Sequence, residues 1–306
     1  MNLPGTYSGT RNPIAHIPIL FPLEIERNRF LRGLTSNISS STANLKIAPE
    51  NQPSSSLNAK PIPSTHSASL HLNPSPSISS RLSVPNASHF QIEHPLGKIE
   101  IPLIVTGMGA KAIRRSVETI APFRPDYLIL VGFAGSLTDT ITIGQVVLAT
   151  ETISLSNRST QFEWLPPLTI DFPSDLLPEI RRVRCLTSDR IITSSSEKKS
   201  LCQQFGADIV DMESYAFVDS CQKFNIRPMV LRAISDSADQ DLAPRWSNVI
   251  RADGTISIFH LLQFLIYHPL QITKLIQLHR QSQIAGENLA NSLYELIDKN
   301  LKYHLK

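Results

Sequence analysis

Along the chain the apolar residues fall into short runs set between polar stretches, and the length and spacing of each run decide what it can form. His16 to Phe21, Ile99 to Val105, Tyr127 to Val131, Val146 to Thr150 and Pro228 to Ile234 read as strands, buried on both faces where the run is unbroken. Leu23 to Arg32, closed by Gly33, has the length and composition of a helix, as does Ala110 to Ala121, stopped by Pro122. Met212 to Phe224 predicts a third helix, because Val210, Phe217, Cys221 and Phe224 fall on one stripe. Phe90 to His94 and Ile99 to Val105 flank Pro95-Leu96-Gly97-Lys98, a strand, turn and strand signal. A strand, helix, strand unit then runs from Ile99 to Val131. The sum is an α/β protein with a central mixed sheet and no internal repeat.

Two segments break this texture. From about Thr35 to Asn86 the composition shifts to Ser, Pro and Asn, with too few large apolar residues to offset the entropy of ordering the chain. A disordered insertion is expected there. Ile256 to Tyr267 is the most apolar stretch, but His260 and Gln263 interrupt it and His268-Pro269 closes it, well short of the roughly 20 residues a membrane-spanning helix needs. Residues 14–34 are therefore read as the first strand and helix of the main domain, 35–86 as the insertion, 87–254 as the rest of that domain and 255–306 as a C-terminal helical extension.

Composition narrows the function classes. A hydrophobic share of 41% over 306 residues is enough for a substantial core. With 29 basic and 26 acidic residues the net charge is +3, which sets up no general field toward nucleic acid. Arg114-Arg115, Arg181-Arg182-Val183-Arg184 and Lys198-Lys199 read as solvated faces. Cys185, Cys202 and Cys221 are odd in number, far apart and without CxxC spacing, so each reads as an inert thiol in a reducing compartment and not as part of a disulfide frame or zinc site. Pro4, Gly5 and Arg11 precede any apolar run, so the N-terminus does not read as a secretory signal. The expectation is a cytoplasmic protein without a metal or redox cofactor.

In sheets of this kind ligands collect at the loops just after buried strands. Four segments stand there: Leu23 to Glu26, Gly132-Phe133-Ala134-Gly135-Ser136-Leu137, Asp211-Met212-Glu213-Ser214 and Ser235-Asp236-Ser237-Ala238-Asp239. Gly132 to Gly135 reads as a turn, either structural or one whose missing Cβ atoms let backbone approach a ligand, and Thr106 to Gly109 is open to the same two readings. Neither is a Walker loop or the dinucleotide fingerprint. Met212 and Glu213 lie off the apolar stripe of their helix. Glu213 could serve only the helix dipole, and Asp236 could merely cap the element after its strand.

Together, Thr106-Gly107-Met108-Gly109, Gly132-Phe133-Ala134-Gly135-Ser136-Leu137, Val210-Asp211-Met212-Glu213-Ser214 and Leu231-Arg232-Ala233-Ile234-Ser235-Asp236 resemble the nucleoside phosphorylase superfamily in order and approximate spacing, and most of all its methylthioadenosine/adenosylhomocysteine nucleosidases. The likeness spans about Ile14 to Leu31 and Ile99 to Asp241. It implies a single-domain, three-layer fold around the mixed sheet and an enzyme that cleaves the bond between a purine and a ribose. By the same resemblance Glu213 holds the ribose hydroxyls and Met212 packs under the sugar. Asp236, with Ser235 beside it, protonates the purine, and Glu26, or else Glu24, activates water. Phe133, Ala134, Gly135 and Ile192 then contact the nucleoside. The residue chemistry agrees: a carboxylate accepts from two adjacent hydroxyls, a thioether is a soft floor, and a proton improves a poor leaving group. For that role Asp236 has to be raised in pKa or to share a proton with substrate.

Many phosphorylases of the superfamily bind phosphate through an arginine shortly before the Gly-rich stretch. Ile129-Leu130-Val131-Gly132 has none, which favours water as the nucleophile. Phe133 stands where the nucleosidases carry a small serine, and Ile191-Ile192 where a stacking aromatic is common. Arg232 is expected to orient neighbouring carboxylates. The C-terminal region, from Asp253-Gly254 to Leu293, resembles the tail of the hopanoid-associated phosphorylase-like branch, whose substrate is a nucleoside on a long lipid. An apolar helical pair there could shelter a greasy 5′ substituent or lie on a membrane surface. Packing on the core, or on another subunit of a homodimer or higher homo-oligomer, is the expectation. Two alternatives stay open: a phosphorylase or lipid-nucleoside-cleaving enzyme of the same fold, and a non-catalytic nucleoside-binding module.

Overall fold

Alternating burial lets one strand serve two cores. Along Tyr127–Ser136, Leu128 and Leu130 turn to one face while Ile129 and Val131 turn to the other, so each face needs its own helical cover. The computed structural model describes residues 18–22, 26–28, 45–47, 87–94, 97–156, 163–164, 168–170, 179–242 and 272–303. In chain order its strands are β1 (Ile19–Phe21), β2 (Leu45–Ile47), β3 (Ala87–His94), β4 (Gly97–Val105), β5 (Tyr127–Ser136), β6 (Val146–Ser156), β7 (Glu163–Trp164), β8 (Leu168–Thr169), β9 (Arg181–Ser188), β10 (Ile209–Asp211) and β11 (Arg227–Asp236). Its helices are α1 (Ala110–Ile120), α2 (Ser195–Phe205), α3 (Ser214–Lys223) and α4 (Ile272–Tyr303), and residues 26–28 are also helical.

The sheet is mixed, with the order β10-β9-β6-β11-β5-β1-β4-β3-β2 and β7 and β8 hung on β6. β5 is long enough to take three partners. Ile129 and Leu130 pair with β1, residues from Tyr127 to Gly135 pair with parallel β11, and Gly135 and Ser136 pair antiparallel with β10. That last pairing closes β5, β11, β6, β9 and β10 into a ring. On one face α4 sets Ala285, Leu289, Ala290, Leu293, Leu296 and Ile297, a stripe at helical spacing, among core residues that include Ile129, Val131 and Leu231. On the other, Ile113 and Val117 of α1 and Phe217 and Cys221 of α3 cover Leu128, Leu130 and Val230.

The expected α/β class and mixed sheet hold, with three differences. Gly132 to Gly135 is not a turn: it is the second half of β5, kept extended by its ladder to β11. Phe224, assigned to the buried stripe of its helix, is 46% exposed, because α3 ends at Lys223 and the chain turns away there. Within the stretch read as a disordered insertion, Leu45–Ile47 forms β2 and pairs antiparallel with β3, where it meets backbone groups that an edge strand would otherwise leave to solvent. The rest of 35–86, residues 29–33 of the expected first helix and residues 253–271 lie outside the described residues. Of the C-terminal helical pair, α4 is described, and it packs on the core. No described helix is long and apolar enough to cross a membrane.

If α4 is part of the core, truncating Leu289, which is 1% exposed, should lower unfolding free energy by about 2–5 kcal/mol. Urea unfolding of Leu289→Ala checks this, and a midpoint equal to wild type would show that the helix contributes little.

Candidate active site

β5 and β11 run in parallel to neighbouring ends, and the side chains gathered around those ends form two charged clusters. The first lies over Gly132. Glu26, buried in the helical segment that follows β1, accepts a hydrogen bond from the Phe133 N–H at 2.8 Å through Oε1. A Cβ on Gly132 would collide with Arg232 Nη1 and stand 2.9 Å from Glu26 Oε1. Glycine is therefore required here for close approach, and the groups it admits belong to the protein itself.

Arg232 sits mid-strand in β11 with no exposed surface. Its Nη2 lies 2.6 Å from Asp211 Oδ2, 3.5 Å from Glu213 Oε2 and 3.3 Å from Ser214 Oγ. Burial works against its charge, but Asp211, Glu213 and Glu26 together hold its pKa above the usual guanidinium value. Nε and Nη1 have no partner among the described residues, and Nη1 is the atom directed over Gly132.

The helix start at residue 214 explains why Glu213 is available. Asp211 accepts from the Ser214 N–H at 3.2 Å with either oxygen, and also from the Ser214 hydroxyl and from Thr187 Oγ1 at 2.8 Å. Asp211 thus serves the start of α3. Glu213, at the N-cap position, makes no capping bond and instead accepts from the Gly109 N–H at 2.8 Å. The helix-dipole reading of Glu213 does not describe its contacts. Burial, reinforced by the Asp211 and Glu26 charges, raises Glu213 from 4.5 to about 7, against the lowering effects of Arg232 and the Gly109 N–H.

The second cluster lies at Gly135, whose Cβ would stand 2.9 Å from Asp236 Oδ2. Ser235 Oγ donates to Asp236 Oδ1 at 2.7 Å, and Lys198 Nζ donates to Oδ2 at 2.5 Å. Asp236 is therefore held by an ion pair, and the capping role considered for it is not what its contacts show. Lys198 was read as part of a solvated face, yet it has no exposed surface. Its helix turns it inward with Leu201 and Phe205, which follow at helical spacing, and this stripe is the signal that could have located it.

Among the other expected contacts, Phe133 and Met212 are half-buried, and Phe133 packs toward the α4 side of the sheet. Ala134 is buried and accepts from Ser235 Oγ at 3.3 Å. Ile192 is buried in a cluster with Leu137, Leu201 and Val210, so its side chain is packing, and its backbone is what remains for a ligand. Glu24 lies outside the described residues. Arg232 orients carboxylates as expected. Among the described residues no group of three or more His, Cys, Asp or Glu is arranged to hold a metal ion.

Comparison with known proteins identifies the family and the fold. Residues 78–253 match the family described as the phosphorylase superfamily. The 5′-methylthioadenosine/S-adenosylhomocysteine nucleosidase of Buchnera aphidicola subsp. Schizaphis graminum is 31% identical over 163 residues, which cover 47% of this chain and 69% of that protein. The enzyme of the same name from Staphylococcus haemolyticus is 25% identical over 158 residues, covering 45% and 69%. Among solved structures, futalosine hydrolase of Helicobacter pylori superposes with a TM-score of 0.57 at 14% identity, covering 92% of this chain and 97% of that one. The nucleosidase from Neisseria meningitidis in complex with methylthio-immucillin-A gives 0.53 at 17%, covering 92% and 97%. At these identities the structural likeness speaks for the fold.

The raised pKa of Glu213 makes stability depend on pH. The folded state keeps a proton that the unfolded chain releases near 4.5, so the stability it contributes is complete below that value and is lost as pH rises through about 7. Urea unfolding at pH 5 and pH 8 should show wild type losing stability between the two and Glu213→Gln losing less. An identical loss in both proteins would contradict this placement of Glu213.

Proposed function

The chain belongs to the phosphorylase superfamily, and from that premise we propose that it hydrolyses the N-ribosidic bond of a 5′-substituted adenosine such as methylthioadenosine or adenosylhomocysteine. The observation that carries the reading is the pair above Gly132. A buried carboxylate, Glu26, and a guanidinium nitrogen, Arg232 Nη1, that has no hydrogen-bond partner among the described residues both stand against the bare α-carbon of Gly132. A water held between them would donate to Glu26 and accept from Arg232, which is what a general base needs.

In this scheme Glu26 takes a proton from water as its oxygen bonds to the anomeric carbon. The bond from carbon to purine nitrogen breaks with its electron pair going to the base, through an oxocarbenium-like transition state. Asp236 places a proton on the leaving purine. Glu213 holds the ribose hydroxyls, with Met212 beneath the sugar. Charge supports hydrolysis over phosphorolysis: Glu26 and Asp211, joined by Glu213 as it ionises near pH 7, outnumber the guanidinium of Arg232, and a phosphate dianion would be repelled there. The names of the similar nucleosidases support the 5′-substituted adenosine as substrate class.

Free adenine should appear from methylthioadenosine or adenosylhomocysteine without added phosphate; strictly phosphate-dependent release would favour a phosphorylase instead. Glu26→Gln and Asp236→Asn should each lower turnover at least about a hundredfold while nucleoside binding survives. A wild-type rate from either variant would remove that residue from the mechanism.

A further inference from the structure

Lys198 is a fully buried charge that the scheme above leaves without a task. Its ammonium donates to Asp236 Oδ2 at 2.5 Å, to the Ser237 carbonyl at 2.7 Å and to the Gln240 carbonyl at 3.3 Å, so all three of its protons are engaged. The start of its helix is tied to the same segment. The Ser195 N–H donates to Asp241 Oδ1 at 2.7 Å, and the Leu242 N–H donates to the Thr193 carbonyl at 2.8 Å. The first turn of α2 and residues 236–242 are thus fastened into one unit with Lys198 inside it. Stability alone does not account for this arrangement, because a buried ion pair is commonly no better than well-packed apolar residues. Leu201 and Phe205, on the same face of α2, show that the surroundings accept apolar side chains.

We infer that Lys198 is a positioning residue for the leaving-group step, holding Asp236 in place and storing the proton that Asp236 passes to the departing purine. The inference rests on the nucleosidase reading. As the ribosidic bond breaks, Lys198 Nζ passes a proton to Asp236 Oδ2 across the contact that already joins them, and Asp236 passes a proton on to the base nitrogen, which leaves an amine beside a carboxylate. The ammonium becomes an amine and regains its proton from solvent once the base has left. Ammonium with carboxylate and amine with carboxylic acid carry the same net charge, so moving the proton within the pair adds no charge to a buried place. Ser235, on the other carboxyl oxygen, keeps the group from turning.

The test is a double-mutant cycle on adenine release from methylthioadenosine by the full chain, with Lys198→Met, Asp236→Asn and both together. Lys198→Met should lower kcat about a hundredfold with KM within about threefold, and the double variant should be no slower than Asp236→Asn, whose acid is already gone. A folded Lys198→Met with wild-type kcat, or a double variant whose loss is the product of the single losses, would overturn the inference. If thermal melting shows that Lys198→Met does not fold, Lys198→Gln, which keeps a donor toward the Ser237 carbonyl, takes its place. A wild-type protein that releases no adenine removes the nucleosidase reading itself, whereas an active wild type with an unaffected variant removes only the role of Lys198.

Discussion

A guanidinium without exposed surface must find its counter-charges inside the protein, and much of the local architecture follows from meeting that demand for Arg232. Asp211 comes from the end of β10, Glu213 from the entry to α3 two residues on, and Glu26 from the segment after β1, so two stretches far apart in sequence are drawn to one side chain of β11. Removing Arg232 would leave buried carboxylates without compensation, which is far more costly than the net worth of the pairs. The same arrangement leaves two nitrogens of Arg232 without a hydrogen-bond partner among the described residues, one of them against Gly132.

β5 is what makes the arrangement possible. It changes neighbours along its length, from β1 at the start to β10 at the end, while β11 accompanies it throughout. Its two glycines meet the two clusters, Gly132 beside Glu26 and Arg232 and Gly135 beside Asp236. They stand three positions apart along the strand, roughly 10 Å at the usual rise. Under the nucleosidase reading the division is chemically sensible: the cluster with excess carboxylate handles the water and the sugar, and the carboxylate paired with lysine handles the base. Two acidic groups given opposite surroundings can take opposite proton-transfer roles.

Much of this was open to reading from the residues in order. Runs such as Tyr127 to Val131 and Pro228 to Ile234 announce buried strands, and the stripe through Phe217 and Cys221 announces a helix, because burial alternates with a period set by the backbone alone. The four segments, bearing Glu26, then Gly132 and Gly135, then Asp211 and Glu213, then Asp236, could be marked for the same reason: each stands at or just beyond a run. Pattern marked the segments; the resemblance to the nucleosidases is what singles out Glu26, Glu213 and Asp236 within them.

What tertiary structure alone decided is which charge answers which. Local pattern left Glu213 as a helix-dipole residue, whereas in the fold Asp211 meets the start of α3 and Glu213 turns to Gly109 and Arg232. Local pattern put Lys198 on a solvated face; the fold sets the 236–242 segment against the first turn of α2 and encloses the ammonium beside Asp236. Gly132 to Gly135 had the composition of a turn but is held extended by β11. Periodicity records which residues leave water and is carried by neighbours along the chain. The partner a buried charge finds belongs to strands and turns far away in sequence, so it exists only once they are brought together.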